Sequence, residues 1–172
     1  MSSNNNLDFY YVDSNYVQFL HQAEIEKRGF SRVPNVDYGP SHKPKFLCGI
    51  VFKVNGIPYY VSVSSFKVQK PDNFIICGHN GAPVASLRFN YMFPVPQSLL
   101  TLRQISNEPD AAYRSLLAQE RRYCIQKQAD IQKKAQRTYK RVLLGKDIGL
   151  VQNSCDFQLL ETKYHEWLAT HI

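Results

Sequence analysis

The feature that most constrains this sequence is a pair of apolar, β-branched runs separated by Asn55-Gly56. The two runs occupy residues 46–54 and 57–63. Asn-Gly tolerates the positive φ angles of a type I′ turn, and the twist of that turn matches a two-stranded antiparallel ribbon. The sequence therefore predicts a β-hairpin within residues 45–70, around which the rest of the chain is arranged.

The open end of this predicted hairpin gathers polar side chains. The second strand runs into Ser64, Ser65 and Lys67, and Lys45 stands at the start of the first strand. Antiparallel pairing across a tight turn brings the start of one strand beside the end of the other. We therefore expect two ammonium groups and two hydroxyls to converge at one end of a rigid sheet, an arrangement that suits a phosphate ligand.

Size and charge narrow the class of protein. The chain has 172 residues with 44% hydrophobic content, which predicts one folded domain over residues 1–172. Lys and Arg number 21 against 14 for Asp and Glu, a formal charge of +7. This excess favours polyanionic partners such as nucleic acid. A basic globular protein without a nucleic-acid function remains an alternative, because charge alone does not separate the two.

The cysteines and the hydropathy pattern predict the compartment. The four cysteines are scattered and none has CxxC spacing, so no zinc site is predicted. Most of them sit in apolar runs, as small core residues of a reducing cytosol do. The sequence also lacks a basic-then-apolar signal and a run of membrane length. We expect a cytoplasmic protein that does not contact a membrane.

Periodicity predicts an α+β fold, in which a curved antiparallel sheet is flanked by helices. A helix over residues 14–26 is expected to be capped by Asp13 or Ser14, and an irregular loop over residues 29–44 leads into the hairpin. A closing amphipathic helix follows residue 158. Further short strands are predicted at residues 7–12, 74–77, 84–87, 89–95, 99–105 and 155–157.

The C-terminal half contains one long or kinked basic helix, predicted over residues 108–144 and stopped by Gly145. Few acidic residues oppose its cations, and Tyr123 and Tyr139 lie among them. A solvated basic face and a phosphate-tracking surface for RNA are both consistent with this pattern. The candidate RNA-binding cations are Arg114, Arg121, Arg122, Lys127, Lys133, Lys134, Arg137, Lys140 and Arg141.

Two further places have both a functional and an ordinary interpretation. In the loop before the hairpin, Tyr38 and Lys43 either line a substrate groove or are plain solvated surface. In the first helix, Tyr16 is either a core aromatic or a hydroxyl that reaches the Ser65 site. Its helical spacing with Leu20 favours the core interpretation.

The available chemistry is that of lysine, serine and tyrosine, with no metal and no cofactor predicted. HExxH, GxSxG and phosphate-cradling glycine motifs are absent from the sequence. RNA supplies its own nucleophile in the 2′-hydroxyl. A lysine among other cations can take part in proton transfer, while a second ammonium and hydroxyls stabilise the phosphorane. Lys45, Ser64, Ser65 and Lys67 provide these groups, although Ser-Ser-x-Lys by itself is more often an ordinary turn.

Several stretches, taken in order, resemble the ToxN/AbiQ family of endoribonuclease toxins from type III toxin–antitoxin systems. The resemblance covers nearly the whole chain, including the long basic helix. Its landmarks are FYYVDSNYVQFL at 9–20, KPKFLCGIVFKVNGIPYYVSVSSFK at 43–67, LRFNYMFPVP at 87–96 and CDFQLLETKY at 155–164.

The resemblance implies a compact fold similar to Kid/MazF toxins and metal-independent RNA cleavage to a 2′,3′-cyclic phosphate and a 5′-hydroxyl. It places the family's active-site stretch on Ser64, Ser65 and Lys67, its upstream lysine on Lys45, and its helix tyrosine on Tyr16. This reverses the preference for a core role of Tyr16. Phe66 stands where the family has proline, and Ser64 where ToxN has threonine. The family's loop tyrosine has no partner in strict register, and Tyr38 is the nearest candidate.

The resemblance also implies partners. The expected inhibitor is a repetitive antitoxin RNA that the toxin processes into pseudoknot units, which then bind it in a closed RNA–protein assembly. The expected substrates are cellular or phage mRNAs, and the biological role is phage abortive infection or plasmid maintenance. A non-catalytic RNA-binding or assembly protein that uses the basic helix is the alternative. A DNA-binding regulator ranks below both, because no helix-turn-helix pattern is evident.

Overall fold

The computed structural model describes residues 6–36 and 45–171 of the chain. It contains the predicted hairpin, formed by β2 (Leu47–Val54) and β3 (Ile57–Ser64). Between them Asn55 has a φ of 50° and Gly56 a φ of 79°, as a type I′ turn requires. The Asn-Gly signal therefore located both strands and the turn correctly.

Within residues 6–36 and 45–171, the hairpin lies at the centre of a seven-stranded sheet whose pairings are all antiparallel. The remaining strands are β1 (Asp8–Val12), β4 (Asn73–Cys77), β5 (Pro83–Arg88), β6 (Phe93–Pro94) and β7 (Leu100–Leu102). Their order is β4-β5-β3-β2-β1-β7, and β6 pairs with β3 beside β5. The predicted α+β class, an antiparallel sheet flanked by helices, is confirmed.

Five helices in the described part of the chain flank the sheet, and local signals define several of their ends. They are α1 (Ser14–Arg28), α2 (Ala111–Gln126), α3 (Gln128–Leu144), α4 (Ile148–Gln152) and α5 (Phe157–Thr170). The Asp13 carboxylate accepts from the N–H of Asn15 at 2.8 Å and caps α1. Gly145 ends α3 with a φ of 72°, the left-handed conformation predicted from its position. Among the described residues, no helix has the length and apolar character needed to cross a membrane.

Of the two alternatives for the long basic stretch, the structure has the kinked one: it is divided into α2 and α3, because Lys127 leaves the helical conformation with a ψ of 17°. At this break the Gln128 side chain accepts from the N–H of Leu7 at 2.8 Å. The predicted strand at residues 155–157 is wrong, since Asp156 caps α5 by accepting from Leu159 N–H.

The segment at residues 89–95 is also less regular than predicted. Only Phe93–Pro94 forms a strand, after a 3₁₀ turn over Phe89–Tyr91. Proline cannot donate to a ladder, so it limits a strand's pairing. This irregular segment matters for the site, because it places Tyr91 next to the end of β5.

Candidate active site

The structure places Lys45 beside Ser64 at the open end of the hairpin. Leu47 pairs with Ser62, and the N–H of Val63 donates to the carbonyl of Phe46 at 3.2 Å. Continuing this register by one residue sets Lys45 directly opposite Ser64. Opposed residues of an antiparallel pair project from the same face and lie close enough to act together.

A pocket of about 260 Å³ opens beside this pair. Among the described residues, its lining includes three cations and four hydroxyls but no carboxylate. Such a pocket favours an anionic ligand, because each cation lowers the energy of a negative charge and each hydroxyl offers a donor. The lining residues are Ser31, Arg32, Val33, Pro34, Lys45, Val61, Ser62, Ser64, Arg88 and Tyr91.

Ser65 and Lys67 follow directly after β3 and are both exposed. They do not line the pocket. The chain turns there because the Ser64 hydroxyl oxygen accepts from the backbone N–H of Phe66 at 3.1 Å. The proline that the family has in place of Phe66 would carry no backbone N–H and could not make this bond. In this chain the hydrogen bond, and not a proline ring, holds the turn. The hydroxyl proton of Ser64 is left available for a ligand oxygen.

Tyr16 lies away from this pocket, in the core. Its side chain is completely buried, and its hydroxyl donates to the carbonyl of Pro94 at 2.6 Å. Its ring meets that of Trp167 edge to face, with centroids 5.3 Å apart. Burial raises the pKa of the Tyr16 phenol well above its usual range. The core interpretation from periodicity is confirmed. Direct positioning of a nucleotide, as the resemblance implies, needs an exposed hydroxyl, and the structure does not provide it.

Arg88 is a pocket residue that the sequence reasoning missed. Its guanidinium lies 4.4 Å from the ring centroid of Phe66 and 4.7 Å from that of Tyr91. No carboxylate within the described ranges forms a salt bridge with it. The sequence did contain a signal for this residue. Arg88 directly follows the predicted apolar strand at residues 84–87, and alternation places it on the same face as Ser86.

The wall of the pocket at residues 31–34 is held by the buried carboxylate of Glu24. One carboxylate oxygen accepts from the Arg28 guanidinium at 3.1 Å, from the Ser31 hydroxyl at 3.0 Å and from the N–H of Arg32 at 2.7 Å. The other accepts from the N–H of Asp156 at 2.6 Å. A buried charge with this many donors is well satisfied, and it ties the pocket wall to α1 and α5.

The predicted RNA-binding cations of α2 and α3 separate into three groups. Three are paired with protein groups: Arg114 donates to the Glu108 carbonyl at 2.7 Å, Arg121 bonds Asp8 at 2.9 Å, and Arg141 bonds Asp72 at 2.8 Å. Lys134 is half-buried, and burial lowers its pKa. The exposed members are Arg122, Lys127, Lys133, Arg137 and Lys140.

The two tyrosines among these cations lie in different environments. Tyr139 is buried and its hydroxyl donates to Glu161 at 2.7 Å. Tyr123 packs against Phe74 with centroids 6.2 Å apart. The argument that these rings favour RNA binding is therefore wrong for Tyr139 and stays a prediction for the partly exposed Tyr123. Tyr38 and Lys43 lie outside the described residues. Within the described ranges, no group of three or more His, Cys, Asp or Glu side chains is placed to hold a metal ion.

Comparison with known proteins assigns the class of protein. Residues 8–165 match the family model described as toxin ToxN of type III toxin–antitoxin systems. The chain belongs to this family of toxins. The match spans β1 to α5 and so includes both strands of the hairpin and the pocket.

Individual relatives agree with this assignment. The chain is 25% identical to the endoribonuclease ToxN of Pectobacterium atrosepticum, covering 94% of each protein. It is also 25% identical to the endoribonuclease AbiQ of Lactococcus lactis, over 91% of this chain and 87% of that protein.

Solved structures share the fold over nearly their whole length. One, described as a toxin selectively inhibited by a non-coding RNA pseudoknot, superposes with a TM-score of 0.82 at 21% identity, covering 95% of this chain and 98% of that one. Another, described as AbiQ, a lactococcal anti-phage endoribonuclease, gives a TM-score of 0.79 at 21% identity, covering 95% and 99%. A third, described as a bacterial antiviral system regulated by a processed non-coding RNA, gives 0.78 at 25% identity, covering 92% and 98%.

Proposed function

We propose that this protein is an endoribonuclease toxin that cleaves RNA through attack of the 2′-hydroxyl on the adjacent phosphate, without a metal ion. The observation that carries the proposal is the Lys45–Ser64 pair, which borders a cationic, hydroxyl-rich pocket in a chain of the ToxN family. The products are a 2′,3′-cyclic phosphate and a 5′-hydroxyl. Both curated relatives are endoribonucleases by name, which supports the reaction class.

The roles follow from chemistry and position. The phosphorane formed by 2′-hydroxyl attack carries extra negative charge, which ammonium groups and hydroxyl donors stabilise. Lys45 and Lys67 share charge stabilisation and proton transfer to and from the two oxygens. Ser64 and Ser65 hold the phosphate oxygens, with Ser64 oriented by its bond to Phe66 N–H. Tyr16 acts indirectly, by packing the core beneath the sheet.

We further propose that the natural inhibitor is a repetitive RNA that the toxin cuts into folded units and then binds. One structural relative is described as inhibited by an RNA pseudoknot and another as regulated by a processed non-coding RNA. The exposed cations Arg122, Lys127, Lys133, Arg137 and Lys140 offer a surface for such an RNA outside the pocket. RNA binding by Tyr38 and Lys43, which lie outside the described residues, stays a prediction from the sequence. Phage defence fits the relatives that are described as antiviral and anti-phage.

The deciding experiment measures toxicity and RNA cleavage together. Wild type, Ser65→Ala, Lys67→Ala and Lys45→Ala are expressed in bacteria without antitoxin RNA, with Lys146→Ala as control because Lys146 is exposed between α3 and α4. We expect wild type and the control to stop growth, and each active-site variant to relieve it. Equal toxicity of all five proteins, or a harmless wild type that leaves RNA intact in vitro, would rule the proposal out.

A non-catalytic RNA-binding protein is the second candidate, and the exposed cations of α2 and α3 favour it. Purified wild type is incubated with a long RNA in EDTA, and the RNA ends are examined. Fragments ending in 2′,3′-cyclic phosphate support the endoribonuclease and its independence of metal. Retention of intact RNA on the protein supports the second candidate instead.

A further inference from the structure

We propose that Arg88 and Ser62 form a separate phosphate-binding subsite, which holds the RNA phosphate next to the one that is cut. This inference rests on the proposed function, because it assumes that the ligand of the pocket is RNA. It adds to the site a cation and a hydroxyl that are not among the predicted active-site residues Lys45, Ser64, Ser65 and Lys67.

The first support is the environment of the Arg88 guanidinium. The rings of Phe66 and Tyr91 lie at 4.4 and 4.7 Å from it and hold it through cation–π contacts. Aromatic rings do not accept the hydrogen bonds that oxygen atoms accept, and the Arg88 guanidinium makes no hydrogen bond to the described residues, so its N–H donors are left for a ligand. Within the described ranges no carboxylate neutralises Arg88. A preorganised, unneutralised guanidinium in an anion pocket is suited to bidentate binding of phosphate oxygens.

The second support is independent and comes from Ser62. Its residue is only 7% exposed, yet its hydroxyl has no hydrogen-bond partner and lies on the pocket lining. Buried hydroxyls are nearly always paired, because leaving one unpaired costs free energy. A ligand oxygen in the pocket would supply the missing partner.

Strand register places these two residues together. Val63 pairs with Leu87 and Ser64 with Ser86. One further step in this register sets Ser62 opposite Arg88, so both project from the face that carries Ser64 and Lys45. The Ser62–Arg88 row and the Lys45–Ser64 row are therefore neighbouring rows on one face of the sheet.

The spacing of the rows decides which phosphate the subsite takes. Two residues along a strand span about 7 Å, which is comparable to the separation of consecutive phosphates in an extended RNA strand. If the Lys45–Ser64 row holds the phosphate that is cut, the Ser62–Arg88 row holds its neighbour. Phe66 contacts a residue of each row, since its N–H donates to Ser64 and its ring contacts Arg88.

The test measures binding of an RNA analogue that cannot be cut. A fluorescent, fully 2′-O-methylated oligonucleotide of mixed sequence is titrated with wild type and Arg88→Ala at several salt concentrations. We expect Arg88→Ala to weaken binding about tenfold or more and to lower the slope of log K against log salt by about one, as loss of one phosphate contact does. Lys146→Ala is the control cation, and it is expected to leave that slope as in wild type.

Two further variants separate a ligand role from a structural one. Ser62→Ala removes a hydroxyl that has no protein partner, so it should weaken binding of the analogue several-fold without lowering the melting temperature. Phe66→Leu removes one supporting ring while keeping the N–H that Ser64 accepts, and it should weaken binding less than Arg88→Ala. A lower melting temperature for Ser62→Ala with unchanged binding would assign Ser62 to the fold and contradict the subsite.

The subsite and the proposed function fail in different ways. Unchanged affinity and an unchanged salt slope in Arg88→Ala would overturn the subsite, even if wild type cleaves RNA normally. Failure of wild type to cleave RNA would overturn the proposed function. The binding measurement would still be interpretable in that case, because the analogue is not a substrate.

Discussion

The hydroxyl oxygen of Ser64 accepts the backbone N–H of Phe66 at 3.1 Å, across the turn that follows the second hairpin strand. This bond fixes the side chain that faces Lys45. It also sets the course of the exposed residues Ser65 and Lys67. A residue without a hydroxyl at position 64 would lose both the group that faces Lys45 and the hydrogen bond that holds the turn.

The effect of a substitution at Ser64 on RNA cleavage should therefore depend on whether the new side chain keeps a hydroxyl. Ser64→Ala loses the acceptor for Phe66 N–H and a donor to the substrate phosphate, so the RNA-cleavage rate should fall by at least about tenfold. Ser64→Thr keeps the hydroxyl and should retain most of the rate. Single-turnover cleavage of a short RNA compares the variants, and equal rates for Ala and wild type would contradict the assignment.

Tyr16→Phe is expected to change stability more than chemistry. It leaves the carbonyl of Pro94 without its buried donor, which should lower the free energy of unfolding by about 1–3 kcal/mol. Urea denaturation measures the loss, and cleavage is compared at a temperature where both proteins are folded. Tyr164→Phe is the control, because the Tyr164 hydroxyl makes no hydrogen bond to described parts of the chain. A cleavage defect in fully folded Tyr16→Phe would instead support the nucleotide-positioning role.

Glu24→Gln tests the wall of the pocket. The amide cannot carry the charge that Arg28 and the two backbone N–H groups stabilise, so the free energy of unfolding should fall by about 3 kcal/mol. Cleavage should fall as well, because residues 31–34 lose their anchor to α1. Glu26→Gln, on the exposed side of the same helix, is the matched control. Equal denaturation midpoints for the two variants would contradict this role for Glu24.

Glu120 makes stability depend on pH. It is 5% exposed, and burial raises its pKa to about 7, although Arg103 opposes the shift. A raised carboxyl pKa means that the folded protein holds the proton more tightly than the unfolded chain does. This stabilisation is present at low pH and is lost as pH rises from about 4.5 to about 7.

Glu120→Gln should remove this dependence. Relative to wild type, the variant should gain up to about 3 kcal/mol of stability between pH 5 and pH 8, because the buried ionisation no longer occurs. Urea denaturation of both proteins at the two pH values measures the difference, in which the contributions of other groups cancel. A difference that stays constant or falls with pH would show that Glu120 is ionised in the folded protein.

The sequence alone determined the elements whose signals are local. Asn55-Gly56 specified the hairpin because positive φ angles at adjacent residues allow few other structures. Asp13 and Gly145 marked helix ends because capping needs only nearby backbone groups. The turn by itself does not bring Lys45 beside Ser64, because the pairing shifts between Gly49 and Phe52, and only beyond this irregularity does Leu47 face Ser62.

Only the tertiary structure decided what lies inside and what surrounds the site. The buried Tyr16 hydroxyl donates to the carbonyl of Pro94, which is 78 residues away in sequence, and the Arg88 guanidinium contacts the ring of Phe66 from another segment. The basic stretch divides at Lys127, where Gln128 bonds Leu7 across 121 residues. Such contacts depend on how distant segments pack together, and no short window of sequence contains that information.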